Sequence, residues 1–177
     1  LLVKNSIMNL SLILLMEKYG DIKNCLESFV ESSGDEILIG DLGISSENLK
    51  VCKSFNAKVI SVPIDRSSAL NLLISQAKHP YIVHIEPWER LISGTLSSIE
   101  DDFHSFRIIQ NGMVTYETRV FLKKNNVKYQ NPIFETNGLS GGVPIATIVS
   151  DPPKVNLDII KKLAENNPTI PDFHYYL

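Results

Sequence analysis

Short apolar runs alternate with segments of helical periodicity in the first half of the chain. Residues 10–16 form an almost continuous apolar run, which is typical of a strand buried on both faces. Further apolar runs lie at 37–39, 59–62 and 81–85. Apolar residues recur every three to four positions at 21–30, 49–55 and 67–78, and this spacing predicts three helices. Ser45 or Ser46 is a candidate N-cap for the second helix.

Four strand–helix alternations with short connections predict a parallel sheet with helices on both faces. In open sheets of this kind, ligands bind outside the carboxyl ends of the strands. Asp41, Asp65 and Glu86 follow the second, third and fourth apolar runs. The pattern therefore predicts a ligand crevice between Asp41 and Glu86.

The second half of the chain has a different pattern. Residues 106–110 and 113–122 flank Asn111-Gly112, which is a strong signal for a β-hairpin turn. A further candidate strand, a loop and a helix follow, at 129–136, 139–144 and 157–166. The fold class expected from both halves is α/β, with a mostly parallel sheet, a C-terminal β-hairpin and a C-terminal helix.

Composition and charge narrow the function classes. The net charge is −3 and lysines or arginines occur at most in pairs, so the chain lacks the basic footprint of a nucleic-acid-binding protein. The longest apolar run is far shorter than the roughly 20 residues of a membrane span, and the chain shows no signal-peptide pattern. Cys25 and Cys52 fall in predicted helices and are expected to be buried free thiols. These features favour a cytoplasmic location without a membrane span.

Several short phrases occur in the order and spacing of one protein family. They lie at residues 11–12, 25–28, 35–43, 57–63, 67–72, 89–91, 116–121, 165–168 and 175–177. On these phrases the chain resembles the family-2 glycosyltransferases of the GT-A fold, in the branch whose catalytic domain is often followed by tetratricopeptide-type helices. The resemblance runs from about Leu10 to Leu177.

The resemblance implies a division of the chain. Residues 9–150 correspond to the GT-A-like domain, with a nucleotide-binding half at 9–90 and an acceptor-side half at 91–150. Residues 151–177 correspond to the start of a helical extension. Residues 1–8 are expected to be a leader or a remnant of cloning.

The resemblance also implies a reaction, in which a sugar passes from a nucleotide-diphosphate sugar, such as a UDP- or GDP-sugar, to an acceptor. The family uses a divalent cation, Mg²⁺ or Mn²⁺, to neutralise the diphosphate leaving group, and a carboxylate to deprotonate the acceptor hydroxyl. By position, the residues expected on the nucleotide side are Asp41, Asp65, Asn71 and Glu86. Glu86 and Glu89 are the candidate metal ligands. Glu135 is the candidate base.

These residues also have simpler interpretations. Asp41 in a glycine-rich loop is also typical of an Asx-turn or a helix cap. Glu135 is alternatively an exposed carboxylate at a strand end. His84, among apolar neighbours in the fourth strand, is expected to be a core or sheet-face histidine.

Four positions depart from the family pattern. Leu70 stands where the family has an arginine facing the nucleotide, Trp88 replaces the second metal-binding carboxylate, and Phe134 replaces a histidine ligand. The first loop also differs, with Glu17-Lys18-Tyr19 in place of Lys-Asn-Glu. All four departures fall on the nucleotide–metal crevice, which makes the divalent cation doubtful in this chain.

The departures leave two main hypotheses open. One is an active glycosyltransferase with a weak or absent metal. The other is a non-catalytic relative that binds a nucleotide or sugar, or acts as a scaffold. A nucleotidyltransferase is disfavoured, because residues 17–20 do not form the glycine-rich basic phosphate loop of those enzymes.

Overall fold

The computed structural model of the chain describes residues 10–17, 22–30, 36–96, 99, 101–130 and 143–152. The predicted leader, nearly all of the strand predicted at 129–136 and the helix predicted at 157–166 lie outside these residues. So does almost all of the helical extension predicted at 151–177.

The described residues form eight strands and three α-helices. The strands are β1 (Leu10–Met16), β2 (Glu36–Asp41), β3 (Lys58–Ser61), β4 (Tyr81–His84), β5 (Glu89–Gly94), β6 (Phe103–Gln110), β7 (Met113–Leu122) and β8 (Pro144–Ser150). The helices are α1 (Ile22–Val30), α2 (Ser46–Ser54) and α3 (Arg66–Gln76), and a short 3-10 helix spans Lys123–Asn125. None of the helices in the described part of the chain is long and apolar enough to cross a membrane.

All eight strands belong to one sheet, in the order β3-β2-β1-β4-β7-β6-β8-β5. The four strands of the first half are parallel. The sheet then becomes mixed, because β7 is antiparallel to both β4 and β6 while β8 is parallel to β6 and antiparallel to β5. The predicted α/β class with a mostly parallel sheet is confirmed, since four of the seven strand pairs among the described residues are parallel.

Alternate side chains of β1 enter two separate cores. Leu10, Leu12, Leu14 and Met16 pack with buried residues of α1 and α2 on one face of the sheet. Ile13 and Leu15 pack with α3 on the other face. Every residue of β1 is buried, which explains why its sequence is an apolar run with no polar alternation. The prediction of helices on both faces is confirmed.

Local signals located the helix start and the hairpin. Ser45 is the N-cap of α2, where its hydroxyl accepts a hydrogen bond from the Asn48 N–H at 3.1 Å. Asn111 and Gly112 have φ values of 51° and 76° between β6 and β7. Positive φ at both central residues is the requirement of a type I′ turn, which is why this dipeptide predicts a hairpin.

Two strands were not predicted. β5 begins within the turn that follows β4, and its exposure pattern lacks regular alternation. β8 was interpreted only as the end of a loop at Pro144, although its buried positions alternate from Ala146 to Ser150. Alternation of this kind, together with β-branched residues, is a signal that could have identified β8.

Candidate functional site

The predicted crevice corresponds to the point where the direction of strand addition reverses. From β1 the chain adds β2 and β3 on one side, then crosses to the other side to add β4. Such a switch point, at the carboxyl ends of the two strands, is where open α/β sheets bind ligands. Glu17 follows β1 and Glu86 lies just beyond β4. These two carboxylates therefore mark the switch point between the two strands.

Arg66, the first residue of α3, bridges this gap. Its Nη1 lies 3.3 Å from Glu17 Oε1, and its Nη2 lies 2.9 Å and 3.2 Å from the two carboxylate oxygens of Glu86. The Glu17 side chain is 53% exposed, whereas that of Glu86 is 8% exposed. Arg66 therefore holds one buried and one solvent-facing carboxylate at the switch point.

Glu86 is held in its charged form. Burial by itself would raise the pKa of its carboxyl, but Arg66, His84 and Arg119 outweigh that effect and lower the pKa to about 2. Because Glu86 is charged and buried, the guanidinium of Arg66 is required to compensate for its desolvation.

His84 connects Glu86 to the segment after the 3-10 helix. The Tyr129 hydroxyl lies 2.7 Å from His84 Nδ1, and Arg119 Nη1 lies 3.4 Å from the same atom. Because arginine only donates, Nδ1 is the acceptor and the ring proton is assigned to Nε2. Nε2 lies 3.3 Å from Glu86 Oε1. The interpretation of His84 as a buried sheet histidine is confirmed, with a polar environment that the sequence did not indicate.

A tight turn follows Glu86. The Glu89 N–H donates to the Glu86 carbonyl at 3.0 Å, with Pro87 and Trp88 at the two central positions. The Glu86 N–H donates in turn to Glu89 Oε2 at 2.8 Å. These two hydrogen bonds between Glu86 and Glu89 orient the Glu89 side chain toward the interior, and the residue is 1% exposed.

Glu89 faces a second arginine. Arg119 on β7 places Nη2 3.4 Å from Glu89 Oε1 and 2.8 Å from Glu117 Oε2. Burial is the main cause that raises the pKa of Glu89, Arg119 lowers it, and Glu86 and Glu117 raise it further, to about 7. The same carboxylates raise the pKa of Arg119, despite its burial. Glu89 therefore changes charge near neutral pH, unlike Glu86.

Asp41 ends β2 and closes an Asx-turn. Its Oδ1 accepts hydrogen bonds from the Gly43 and Ile44 N–H groups, both at 2.8 Å. No residue in the described part of the chain hydrogen-bonds Oδ2. The turn interpretation is confirmed, and one carboxylate oxygen remains for a ligand.

The other predicted nucleotide-side residues have structural partners. Asp65 is the N-cap of α3, and its two oxygens accept from the Ser67 and Ser68 N–H groups at 3.2 and 3.1 Å and from the Ser68 hydroxyl. The Asn71 amide donates to the Tyr129 carbonyl at 3.0 Å and accepts from the Tyr129 N–H at 2.9 Å. These bonds fix the start of α3 and tie its middle to the segment that carries Tyr129.

The described residues do not fit a divalent cation. Both candidate ligands are engaged, Glu86 by Arg66 and His84, and Glu89 by the Glu86 N–H and Arg119. Trp88, where the family resemblance predicts a second ligand, offers no lone pair to a hard cation. Within the described ranges, no three His, Cys, Asp or Glu side chains are grouped so as to hold a metal ion.

Two sequence-predicted positions cannot be placed, since Glu135 and Phe134 lie outside the described residues. Leu70 is fully buried in the core beside α3, as expected for a leucine on that face. Sequence reasoning missed Arg66 and Arg119. Arg66 lies one helical turn before Leu70, and a search for a replacement arginine at that spacing could have found it.

Comparison with known proteins bears on the fold. No protein-family model and no curated protein sequence matches the chain. Among solved structures, it is similar to S. aureus TarS, with a TM-score of 0.58 and 12% identity over 92% of this chain and 40% of that chain. It is also similar to glucosyl-3-phosphoglycerate synthase from Mycobacterium tuberculosis in complex with phosphoglyceric acid, with a TM-score of 0.59 and 12% identity over 89% of this chain and 76% of that chain.

A third similar structure is a TarS fragment, residues 1–349, in complex with UDP. The TM-score is 0.54 and the identity is 11%, over 87% of this chain and 63% of that chain. This chain spans less than half the length of the longer TarS chain. On the strand order, the helix placement and these similarities, the chain has the GT-A glycosyltransferase fold.

Proposed function

We propose that this chain is a glycosyltransferase-like domain that binds a nucleotide-diphosphate sugar at the carboxyl edge of its sheet and transfers the sugar to an acceptor. The observation that carries the proposal is the group of charged side chains, Glu17, Arg66 and Glu86, at the switch point between β1 and β4 in a protein with the GT-A fold. Fold by itself does not define function, so these side chains and their chemistry support the proposal.

Asp41 is the best-supported nucleotide contact. Its Oδ1 is held by two backbone N–H groups, which orient the carboxylate. Its Oδ2 is suited to accept from a uracil N–H or a ribose hydroxyl. Asp65 and Asn71 support the crevice by fixing α3, and a direct contact of either residue with the nucleotide remains a prediction.

Glu135 remains the proposed base, which would accept the proton of the acceptor hydroxyl as the glycosidic bond forms. The proposal for Glu135 depends on the family resemblance of residues 133–135.

Isothermal titration tests binding. UDP, GDP and their glucose conjugates are titrated into the protein, with Mn²⁺ and with EDTA. UDP is the first choice, because the similar TarS fragment was solved with UDP. Binding of at least one nucleotide is expected, and Asp41→Asn should weaken it. A folded protein that binds none of the four would contradict the proposal.

A second candidate function is a non-catalytic binding domain. The specific observation in its favour is that Glu86 and Glu89 are each engaged by an arginine, and neither carboxylate is left for a metal or an acceptor. Donor hydrolysis separates the two candidates. Hydrolysis above background that is lost in Glu135→Gln would exclude the non-catalytic function, and binding without hydrolysis or transfer would favour it.

A further inference from the structure

The switch-point crevice contains a cation supplied by the protein itself. Resting on the function proposed above, we infer that the Arg66 guanidinium is the phosphate-binding cation of this chain, and that nucleotide binding needs no divalent metal. In the free protein, Glu17 occupies the position that a phosphate oxygen takes when the ligand binds.

The ion pairs that Arg66 makes with the described residues Glu86 and Glu17 are unequal. The pair with Glu86 is buried, so removing either partner would leave an uncompensated charge away from water. The pair with Glu17 is longer, at 3.3 Å, and its carboxylate is half exposed. An exposed pair of this kind adds little to stability, so an incoming anion displaces Glu17 at small cost.

Guanidinium chemistry suits this exchange. Arginine presents several N–H donors in a planar fork that matches phosphate and carboxylate oxygens equally well. Nη2 stays on the two oxygens of Glu86, while Nη1 passes from Glu17 to the phosphate. The Glu86 pair thereby keeps the guanidinium at the switch point before the ligand arrives.

The same geometry disfavours a metal. A divalent ion on Glu86 would lie within a few ångströms of the Arg66 guanidinium, which is 2.9 Å from that carboxylate. Like charges at that range repel strongly in a partly buried site. Displacement of Arg66 would not free the site completely, because His84 also lies 3.3 Å from Glu86.

The decisive variant is Glu17→Gln, which removes the competing charge and leaves the buried pair intact. UDP is titrated in EDTA and in Mn²⁺ into the wild type, Glu17→Gln and Glu27→Gln. Glu27 is the matched control, because its carboxylate is similarly exposed, at 50%, and pairs with Lys23 on α1 instead of with Arg66. Both variants change the net charge equally.

The wild type is expected to bind UDP with the same Kd, within about twofold, in EDTA and in Mn²⁺. Glu17→Gln should bind about three- to fivefold more tightly, which is the scale of an exposed ion pair. Glu27→Gln should match the wild type. The Glu17→Gln effect should appear with inorganic pyrophosphate as well, and it should be absent with uridine.

Three results would overturn the inference. UDP binding that requires Mn²⁺ would overturn it and leave the proposed function standing. An unchanged or weaker affinity of Glu17→Gln, or an equal gain with uridine, would do the same. A folded wild type that binds no nucleotide in either buffer would overturn both the inference and the proposed function.

The Arg66→Lys variant gives a second test, of whether the planar guanidinium is needed for phosphate binding. Lysine keeps a positive charge near Glu86 but is a compact ammonium, which cannot hold Glu86 and a phosphate in the same planar arrangement. UDP affinity in EDTA should fall about tenfold or more. An affinity within twofold of the wild type, in a variant with an unchanged circular dichroism spectrum, would contradict a role for the guanidinium.

Discussion

The parallel half of the sheet and the mixed half each bury one glutamate and one histidine, and the two pairs differ in charge and in hydrogen bonding. In the parallel half, Glu86 has its pKa lowered to about 2, and His84 Nδ1 makes a hydrogen bond with the Tyr129 hydroxyl. In the mixed half, Glu89 has its pKa raised to about 7. His104 on β6 is 4% exposed, and neither of its ring nitrogens has a hydrogen-bond partner among the described residues. The buried glutamate is therefore charged in one half and only partly charged in the other at pH 7, and only one of the two histidines hydrogen-bonds a described side chain.

The distance to the neighbouring arginine explains why the pKa of Glu86 is lowered and that of Glu89 is raised. Arg66 lies 2.9 Å from Glu86, and among the described carboxylates it also pairs with the half-exposed Glu17 at the longer distance of 3.3 Å. Arg119 lies 3.4 Å from Glu89 and makes its shorter contact, 2.8 Å, with Glu117. Attraction therefore exceeds the desolvation cost at Glu86, whereas desolvation dominates at Glu89.

The largest loss of stability is expected from replacing Arg66, the cation of the parallel half. Arg66→Gln should lower the free energy of unfolding by about 3–5 kcal/mol, because it leaves Glu86 charged and buried without its main partner. Urea denaturation at pH 7 measures the loss. Arg90→Gln is the matched control, since Arg90 pairs at 3.0 Å with Asp151 but both side chains are about half exposed or more. Its expected cost is below about 1 kcal/mol, and equal losses in the two variants would contradict the distinction.

The next effect is a pH dependence that belongs to Glu89. Its pKa in the folded protein, about 7, lies above the ordinary value of 4.5, so the folded state binds the proton more tightly than the unfolded state. The stabilisation is complete below pH 4.5 and is lost as the pH rises through 7. It amounts to about 3–4 kcal/mol at most over the whole pH range.

The Glu89→Gln variant removes this pH-dependent contribution to stability, so comparison with the wild type measures it. The difference in unfolding free energy between wild type and variant should shift by about 2–3 kcal/mol against the wild type from pH 5 to pH 8. The lowered pKa of Glu86 acts only at lower pH, where its contribution, present above pH 4.5, is lost as the pH falls toward 2. A constant difference from pH 5 to pH 8 would show that Glu89 does not titrate in this window.

Removing Arg119, the cation of the mixed half, should lower the free energy of unfolding by less than removing Arg66 does. Arg119→Gln is expected to lower the unfolding free energy by about 1–2 kcal/mol at pH 6, because Glu89, with a pKa of about 7, is already mostly protonated there and is not left as an uncompensated charge. The cost should be greater at pH 8, where Glu89 is mostly charged in the wild type and must be neutralised when its cation is removed. Denaturant titrations at the two pH values measure this, and a cost independent of pH would contradict the proposed neutralisation.

The smallest effect distinguishes the two histidines. His104→Leu should raise the unfolding free energy by about 1 kcal/mol, because it replaces buried polar atoms that lack partners in the described structure. His84→Leu should lower it by a similar amount, since the Tyr129 hydroxyl and Glu86 lose a neighbour. Thermal unfolding of the two variants shows whether each melting temperature rises or falls. Melting temperatures that shift in the same direction in both variants would contradict the difference proposed between the two histidines.

The sequence predicted most of what depends on neighbouring residues. β1 was visible as an apolar run and α2 by its Ser45 cap, and the hairpin was visible in Asn111-Gly112. These signals are local, because periodicity, capping and turn conformation each involve only a few consecutive residues. β5 escaped because its pattern is irregular, and β8 because its first residue was assigned to a loop.

The sequence predicted which acidic residues follow the strands of the first half, but it did not predict their ion pairs. The rule for parallel sheets located Asp41 and Glu86 near one edge from the order of strands and helices. Arg66 and Arg119 were missed because their contacts join residues that are 20 to 49 positions apart. No local pattern marks which arginine will face which carboxylate.

Glu86 and Glu89 show where the limit lies. By itself, the sequence determined that two carboxylates follow the fourth strand at the edge of a GT-A-like sheet, and that Trp88 stands where a metal ligand is expected. The tertiary structure decided that both carboxylates turn toward arginines, one near enough to keep the charge and the other too far to prevent neutralisation near pH 7. The reason is physical, since burial and the distance to a cation set the charge of a carboxylate, and both are properties of the folded chain.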